Sequence, residues 1–88
     1  MKKHISVNIR GLVHGIGFRF SAYEKFVELG LIGKAENSPD NAIVVEAEGE
    51  EAALSDLVKW CHAGPSGAKI DSVEVTEIAE PFVPLKMG

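Results

Sequence analysis

The chain has 88 residues, of which 45% are hydrophobic and 25% are charged, a composition typical of soluble globular proteins. This length predicts one domain, residues 1–88, that buries roughly 60–65% of the surface exposed by the unfolded chain. The formal net charge of −4 disfavours a general nucleic-acid binder or a protein that binds anionic membranes.

The N-terminal third predicts a strand followed by a helix. Residues 4–10 alternate between apolar and polar side chains, as in a half-buried strand. Its apolar face consists of Ile5, Val7 and Ile9. From residue 19 to residue 29 the apolar side chains recur at helical spacing, and Gly30 fits the position that follows a last helical turn.

The middle of the chain predicts two strands joined by a turn. Residues 31–37 form the weaker strand, and residues 42–48 form a clear strand rich in β-branched side chains. Between them the sequence SPDN combines proline and asparagine, which favour chain reversal.

The C-terminal part predicts a second helix and a further strand. Glu50 and Glu51 suit the positive N-terminal end of a helix. The apolar stripe of this helix consists of Leu54, Leu57, Val58 and Cys61. A strand at about 70–78 follows, and the tail PFVPLKMG predicts a possible fifth strand at the sheet edge, where proline is tolerated.

The order β-α-β-β-α-β is typical of the ferredoxin-like α+β fold, an α/β sandwich with two helices on one face of a mostly antiparallel sheet. In that plan the first two strands run parallel, with the third strand between them. The loop that leaves the first strand and Asn37, at the end of the second, should therefore emerge at the same sheet edge. We expect Asn37 to lie near this loop although 18 residues separate it from Arg19.

Residues 11–19, GLVHGIGFR, carry the strongest chemical signal. A glycine-rich turn from a strand into a helix exposes backbone N–H groups at the positive end of the helix dipole, where anions such as phosphate bind. An arginine at the helix start adds a planar fork that matches two phosphate oxygens. The alternative is that the glycines only make a tight turn and that Arg19 is a solvated first-turn residue.

The same residues resemble the G-x-V-x-G-V-G-F-R signature of the acylphosphatase family. GKAENSPDNAI (33–43) is similar to the second family motif, and AGPSGAKIDSVEV (63–75) is similar to the segment between the second helix and the last strand. The resemblance implies that Arg19 binds phosphate and that Asn37 orients the attacking water. It also implies a cradle of backbone N–H groups from Val13, His14, Gly15, Ile16, Gly17 and Phe18.

Such enzymes hydrolyse acyl phosphates without a metal or another cofactor, and inorganic phosphate is both their product and an inhibitor. A non-catalytic module that binds anions or small ligands on the same fold stays open as the alternative. Four positions differ from the usual family residues: His14 replaces Gln, Lys34 replaces Trp, Ala35 replaces Val and Asn41 replaces Gly. Asn41 is a mild change, since asparagine tolerates a left-handed backbone.

The remaining candidate groups favour structural roles. His14 is expected to be an exposed loop side chain, or to add positive charge near phosphate when protonated. Cys61, Tyr23 and Trp60 are expected to pack in or beside the core. His4 and His62 lack metal-ligand spacing and are expected at the surface.

The cellular setting is predicted from what the chain lacks. The single Cys61 can form no internal disulfide, which fits a reducing cytoplasm. The N-terminal residues alternate instead of forming a signal peptide, and no stretch is long enough to span a bilayer. We therefore expect a cytoplasmic protein with no membrane or nucleic-acid partner, and a monomer because the domain has a core of its own.

Overall fold

The computed structural model describes residues 2–80. The elements in chain order are β1 (Lys2–Leu12), α1 (Phe18–Leu29), β2 (Ile32–Asn37), β3 (Ile43–Glu50), α2 (Glu51–Ala63) and β4 (Lys69–Ile78). Each predicted element is present, with ends that differ by one or two residues. The predicted fifth strand in the tail lies outside the described residues. Within residues 2–80, neither helix is long and apolar enough to cross a membrane.

The four strands form one sheet in the order β2-β3-β1-β4. β3 pairs antiparallel with both β1 and β2, so these two strands run parallel and end at the same sheet edge. β4 pairs antiparallel with the other side of β1. The ferredoxin-like plan expected from the sequence is therefore confirmed.

The core lies between the sheet and the two helices. The alternating face of β1 is buried as predicted, with exposed fractions of 7% for Ile5 and 0% for Val7 and Ile9. The helices bury most of the residues that the periodicity indicated, which are Phe18, Ala22 and Phe26 of α1 and Leu54, Leu57 and Cys61 of α2. Leu29 and Val58, which the periodicity also placed on these stripes, are only partly buried against the core. Burial raises the pKa of the Cys61 thiol to about 12, so this side chain behaves as a small apolar group.

β1 is longer than the sequence pattern suggested because it continues through a bulge at Arg10 and Gly11. Gly11 has a φ of 139°, and a Cβ there would lie 2.1 Å from the carbonyl oxygen of Lys69. Only glycine allows β4 to approach this closely. The bulge therefore keeps β1 paired up to the start of the glycine-rich loop.

The expectation for His4 is wrong, because its side chain is buried. Nε2 lies 2.6 Å from Oε2 of Glu46 on β3, and Nδ1 forms a hydrogen bond with the carbonyl oxygen of Glu80. β1 is an inner strand, so groups from β3 and from the segment after β4 reach His4 on its polar face. His62 is exposed, as predicted.

Candidate active site

A cleft of about 240 Å³ lies where β1 and β2 end and α1 begins. It is lined by Val13, His14, Gly15, Gly17, Phe18, Arg19, Phe20, Asn37 and Ile43. The parallel arrangement of β1 and β2 accounts for this gathering, because it brings the loop after β1 and the end of β2 to one edge. The predicted proximity of Asn37 to the glycine-rich loop is confirmed.

The loop between β1 and α1 depends on glycine at two positions. Gly15 and Gly17 have φ values of 76° and 74°, a left-handed conformation that side chains with a Cβ disfavour. Gly17 is also the residue that precedes α1, and Ser21 N donates to its carbonyl oxygen at 2.9 Å. The first N–H groups of a helix have no partner inside the helix, and no side chain caps this end. The helix end therefore offers backbone donors to the cleft region.

The first turn of α1 contains a buried residue next to an exposed one. Phe18 is 2% exposed, and its ring packs against Trp60 with centroids 5.2 Å apart. The adjacent Arg19 is exposed and lines the cleft. No acidic side chain occurs in the first turn of this helix, so none is placed there to offset the guanidinium charge. The local electrostatics favour an anion.

Asn37 is the last residue of β2, where it pairs with Ile43 at the start of β3. A hydrogen bond fixes this strand to α1: Ala35 N donates to the hydroxyl of Tyr23 at 3.2 Å. The ring of Tyr23 in turn meets the ring of Phe26 edge-on, with centroids 5.4 Å apart. The helix that carries Arg19 in its first turn and the strand that ends with Asn37 are thus bonded to each other directly.

The turn after Asn37 is held by its own polar side chains. Asn41 has a φ of 71°, so it occupies the left-handed conformation expected of it. The Ser38 hydroxyl donates to Asp40 at 2.5 Å, and Arg10 on β1 forms an ion pair with the same carboxylate. These hydrogen bonds, first from Ser38 and then from Arg10, lower the pKa of Asp40 below its usual value.

His14 also reaches this turn. Its Nε2 donates to the carbonyl oxygen of Asn41 at 3.0 Å, so the half-buried ring connects the loop to the turn. The first expectation for His14 was an exposed loop side chain, whereas its ring is half-buried and hydrogen-bonded. Ile16 is the one predicted cradle residue that does not line the cleft, and its side chain packs against the core.

Comparison with known proteins agrees with these features. The acylphosphatase family model matches residues 5–82. The chain belongs to the acylphosphatase family of enzymes. The acylphosphatase of Synechococcus sp. (strain RCC307) is 45% identical over 81% of this chain, and the match spans 61% of that protein's length. The acylphosphatase of Anaeromyxobacter dehalogenans (strain 2CP-C) is 48% identical over 76% of this chain and 72% of its own.

A solved structure extends the likeness to three dimensions. An acylphosphatase from Coxiella burnetii superposes with a TM-score of 0.88 at 30% sequence identity, covering 94% of this chain and 87% of its own. The family resemblance and the fold predicted from the sequence are thus both confirmed. Within residues 2–80, no three His, Cys, Asp or Glu side chains are grouped so that they could hold a metal ion.

Three features of the cleft and its surroundings were missed by the sequence analysis. Tyr23 was assigned only to packing, whereas its hydroxyl connects α1 to β2. Arg10 and Asp40 are 30 positions apart in the sequence, so the local pattern does not predict their contact. Phe20 lines the cleft. Its exposure could have been predicted, because position 20 lies off the buried apolar stripe formed by positions 18, 22 and 26.

Proposed function

We propose that this domain hydrolyses the carboxyl–phosphate bond of acyl phosphates to a carboxylate and inorganic phosphate. The observation that carries the proposal is that Arg19 and Asn37 line one cleft together with the glycine-rich loop. An anion-binding group and a polar group that can orient water are what this hydrolysis requires.

Phosphate binding is assigned to the loop and to Arg19. Backbone N–H groups of residues 13–18 surround the phosphoryl oxygens, and the start of α1 adds the positive end of its dipole. The planar guanidinium of Arg19 donates to two phosphoryl oxygens at once. Support comes from the left-handed glycines at 15 and 17 and from the absence of an acidic side chain in the first turn of α1.

Asn37 is assigned to the attacking water. Its side-chain amide holds a water in line with the bond to the leaving group, and the water oxygen forms the new bond to phosphorus. The bond from phosphorus to the acyl oxygen breaks with its electron pair on that oxygen, and a phosphoryl oxygen of the substrate takes the water's proton. Positioning and charge neutralisation suffice because phosphoryl transfer passes through a loose transition state.

The leaving group explains why so few side chains are needed. A carboxylate is already stable as an anion at neutral pH, so its departure requires no general acid, whereas the alkoxide from an alkyl phosphate does. Alkyl phosphates should therefore react far more slowly than acyl phosphates. Comparable kcat/KM values for the two classes would contradict this assignment, because they would require a proton donor.

The decisive experiment measures hydrolysis of acetyl phosphate by the purified chain in excess EDTA. We expect turnover above the spontaneous rate that chelation does not reduce, with competitive inhibition by inorganic phosphate. Loss of turnover on chelation, restored by a divalent cation, would contradict a cradle of N–H groups and arginine. Phosphate binding without any turnover would favour the non-catalytic anion-binding module instead.

The proposal includes a monomer in the cytoplasm. It is supported by the hydrophobic core shared by the sheet and both helices, and by the single cysteine in the sequence, whose thiol is buried. Sedimentation equilibrium of the full chain tests the oligomeric state, and a dimer at micromolar concentration would contradict this part alone.

A further inference from the structure

Phe20 occupies an unusual position for a large apolar side chain. It is 71% exposed, and it lines the cleft next to Arg19 in the first turn of α1. Its helix buries the stripe that begins at Phe18 instead. Among the described residues, the hydrophobic core cluster does not include Phe20.

Other exposed apolar residues of α1 show what is particular to this one. Tyr23 is 45% exposed, but its hydroxyl and ring connect the helix to β2 and to Phe26. Val27 is 83% exposed and does not line the cleft. Single exposed apolar side chains are common on protein surfaces, so exposure alone says little. Phe20 differs because it lines the cleft, so its exposed ring is accessible to a ligand bound there.

The remaining apolar lining offers little surface to a ligand. Val13, Phe18 and Ile43 are only 1–2% exposed, so they close the cleft without presenting much area. Of the four apolar side chains that line it, Phe20 is the only one largely accessible.

The volume of the cleft leaves room beside a phosphoryl group. One water takes a share of roughly 30 Å³ in the liquid. A phosphoryl group and one attacking water would thus occupy only part of the 240 Å³. The acyl group is joined to the phosphorus through one bridging oxygen, so it must lie in the remaining part or at its rim. Among the residues that line the cleft, Phe20 offers the accessible apolar surface, and it directly follows Arg19 in the chain.

We infer that Phe20 is a specificity-determining residue that contacts the acyl group and favours acyl phosphates with apolar, above all aromatic, acyl groups. This inference rests on the proposed function. A phenyl ring can bury its face or edge against Phe20, whereas an acetyl group offers a single methyl. This contact strengthens binding of the acyl group and leaves the binding of phosphate unchanged.

The test compares kcat/KM for benzoyl phosphate and acetyl phosphate in four proteins. These are the unmodified chain, Phe20→Ala, Phe20→Tyr and the control Val27→Ala, which removes an exposed apolar side chain from the same helix outside the cleft. Relative to the unmodified chain, Phe20→Ala should lower the preference for benzoyl phosphate about fivefold. Phe20→Tyr should preserve the preference because it keeps the ring, and Val27→Ala should not change it. The Ki for inorganic phosphate should be the same in all four.

The outcomes separate this inference from the proposed function. If the unmodified chain hydrolyses both substrates and Phe20→Ala changes both kcat/KM values equally, Phe20 does not contact the acyl group and the inference is overturned. A raised phosphate Ki in Phe20→Ala would also overturn it, since the residue would then act on the phosphate site. If the unmodified chain hydrolyses neither substrate, the proposed function fails and the inference fails with it.

Discussion

The two helices begin at opposite edges of the sheet, and their N-termini are built differently. At the start of α1 the preceding residue is Gly17 in a left-handed conformation, and the first turn carries Arg19 and no acidic side chain. At the start of α2 the preceding residue is Glu50 in an extended conformation, and the first turn carries Glu51. Lys3 lies 3.5 Å from the Glu51 carboxylate. Neither helix N-terminus is capped by a side-chain hydrogen bond.

The difference shows how the same helix end can serve structure or binding. α2 supplies its own negative charge to the positive end of its dipole, which stabilises the helix within the chain. α1 places a second positive group there, an arrangement that is unfavourable until an anion arrives. We propose that this unfavourable arrangement suits the start of α1 to bind an anion. Five substitutions test the contrast, from the largest expected effect to the smallest.

Arg19→Lys should have the largest effect, because the guanidinium is proposed to bind phosphate in both the ground state and the transition state. Lysine keeps the charge but not the two-pronged geometry, so we expect kcat/KM to fall on the order of 10³-fold. The phosphate Ki should rise in parallel. Steady-state kinetics with acetyl phosphate measure both values, with Arg19→Ala as the reference for complete removal. If lysine restores most of the activity that alanine loses, charge alone explains the role of Arg19.

Asn37→Ala should have the second largest effect, and it should act on turnover alone. Loss of the amide that is proposed to orient the water is expected to lower kcat on the order of 10²-fold. The phosphate Ki should stay nearly unchanged, which is the pattern of an interaction made only in the transition state. Phosphate affinity lost as severely as in Arg19→Lys, or a full kcat, would contradict the division of roles between the two residues.

Gly17→Ala and Gly30→Ala form a matched pair at the two ends of α1. Both glycines are left-handed, with φ values of 74° and 70°, and a Cβ would meet no atom within 4 Å at either position. Each substitution should therefore lower the free energy of unfolding by about 1–2 kcal/mol through backbone strain alone.

Only Gly17→Ala should weaken phosphate binding, by about tenfold, since relief of its strain turns N–H groups away from the phosphate. Chemical denaturation and phosphate titration of both variants give the two quantities. Equal phosphate affinities in the pair would mean that the cradle does not depend on the conformation of Gly17.

Glu51→Gln should have the smallest effect and should touch stability only. It removes the negative charge from the first turn of α2, so we expect Tm to fall by ~2–4 °C. Because exposed charges are screened by salt, the difference in Tm should shrink at high ionic strength. The kinetic constants should be unchanged, and altered kinetics would mean that the two helix ends are coupled through the sheet.

The sequence predicted the fold because its signals are local. Alternation in residues 4–10 and helical spacing after residue 18 each follow from which face is buried, and the strand order followed from the order of the elements. The meeting of Arg19 and Asn37 in one cleft could also be predicted, since parallel strands end at one edge. Their roles in the reaction stay predictions.

Other contacts could not be predicted, because they depend on side-chain direction across distant segments. The burial of His4 depends on Glu46 and Glu80, which lie 42 and 76 positions away. The bond from His14 to Asn41 requires the loop and the turn to face each other within 3.0 Å. Periodicity predicts which face of a strand is buried. It does not predict which distant residues contact that strand.

The bond between Ala35 N and the Tyr23 hydroxyl has an evolutionary consequence. Tyr23 lies four residues after Arg19, and Ala35 lies two residues before Asn37. The spacing of the two proposed site residues is thus set in part by a pair that does not line the cleft. An insertion between positions 19 and 23 or between positions 35 and 37 would shift Arg19 relative to Asn37. A shift of about 1 Å can cost two orders of magnitude in rate. Lineages of this domain should therefore accept new lengths in the turn after Asn37 more readily than between positions 19 and 23 or between positions 35 and 37.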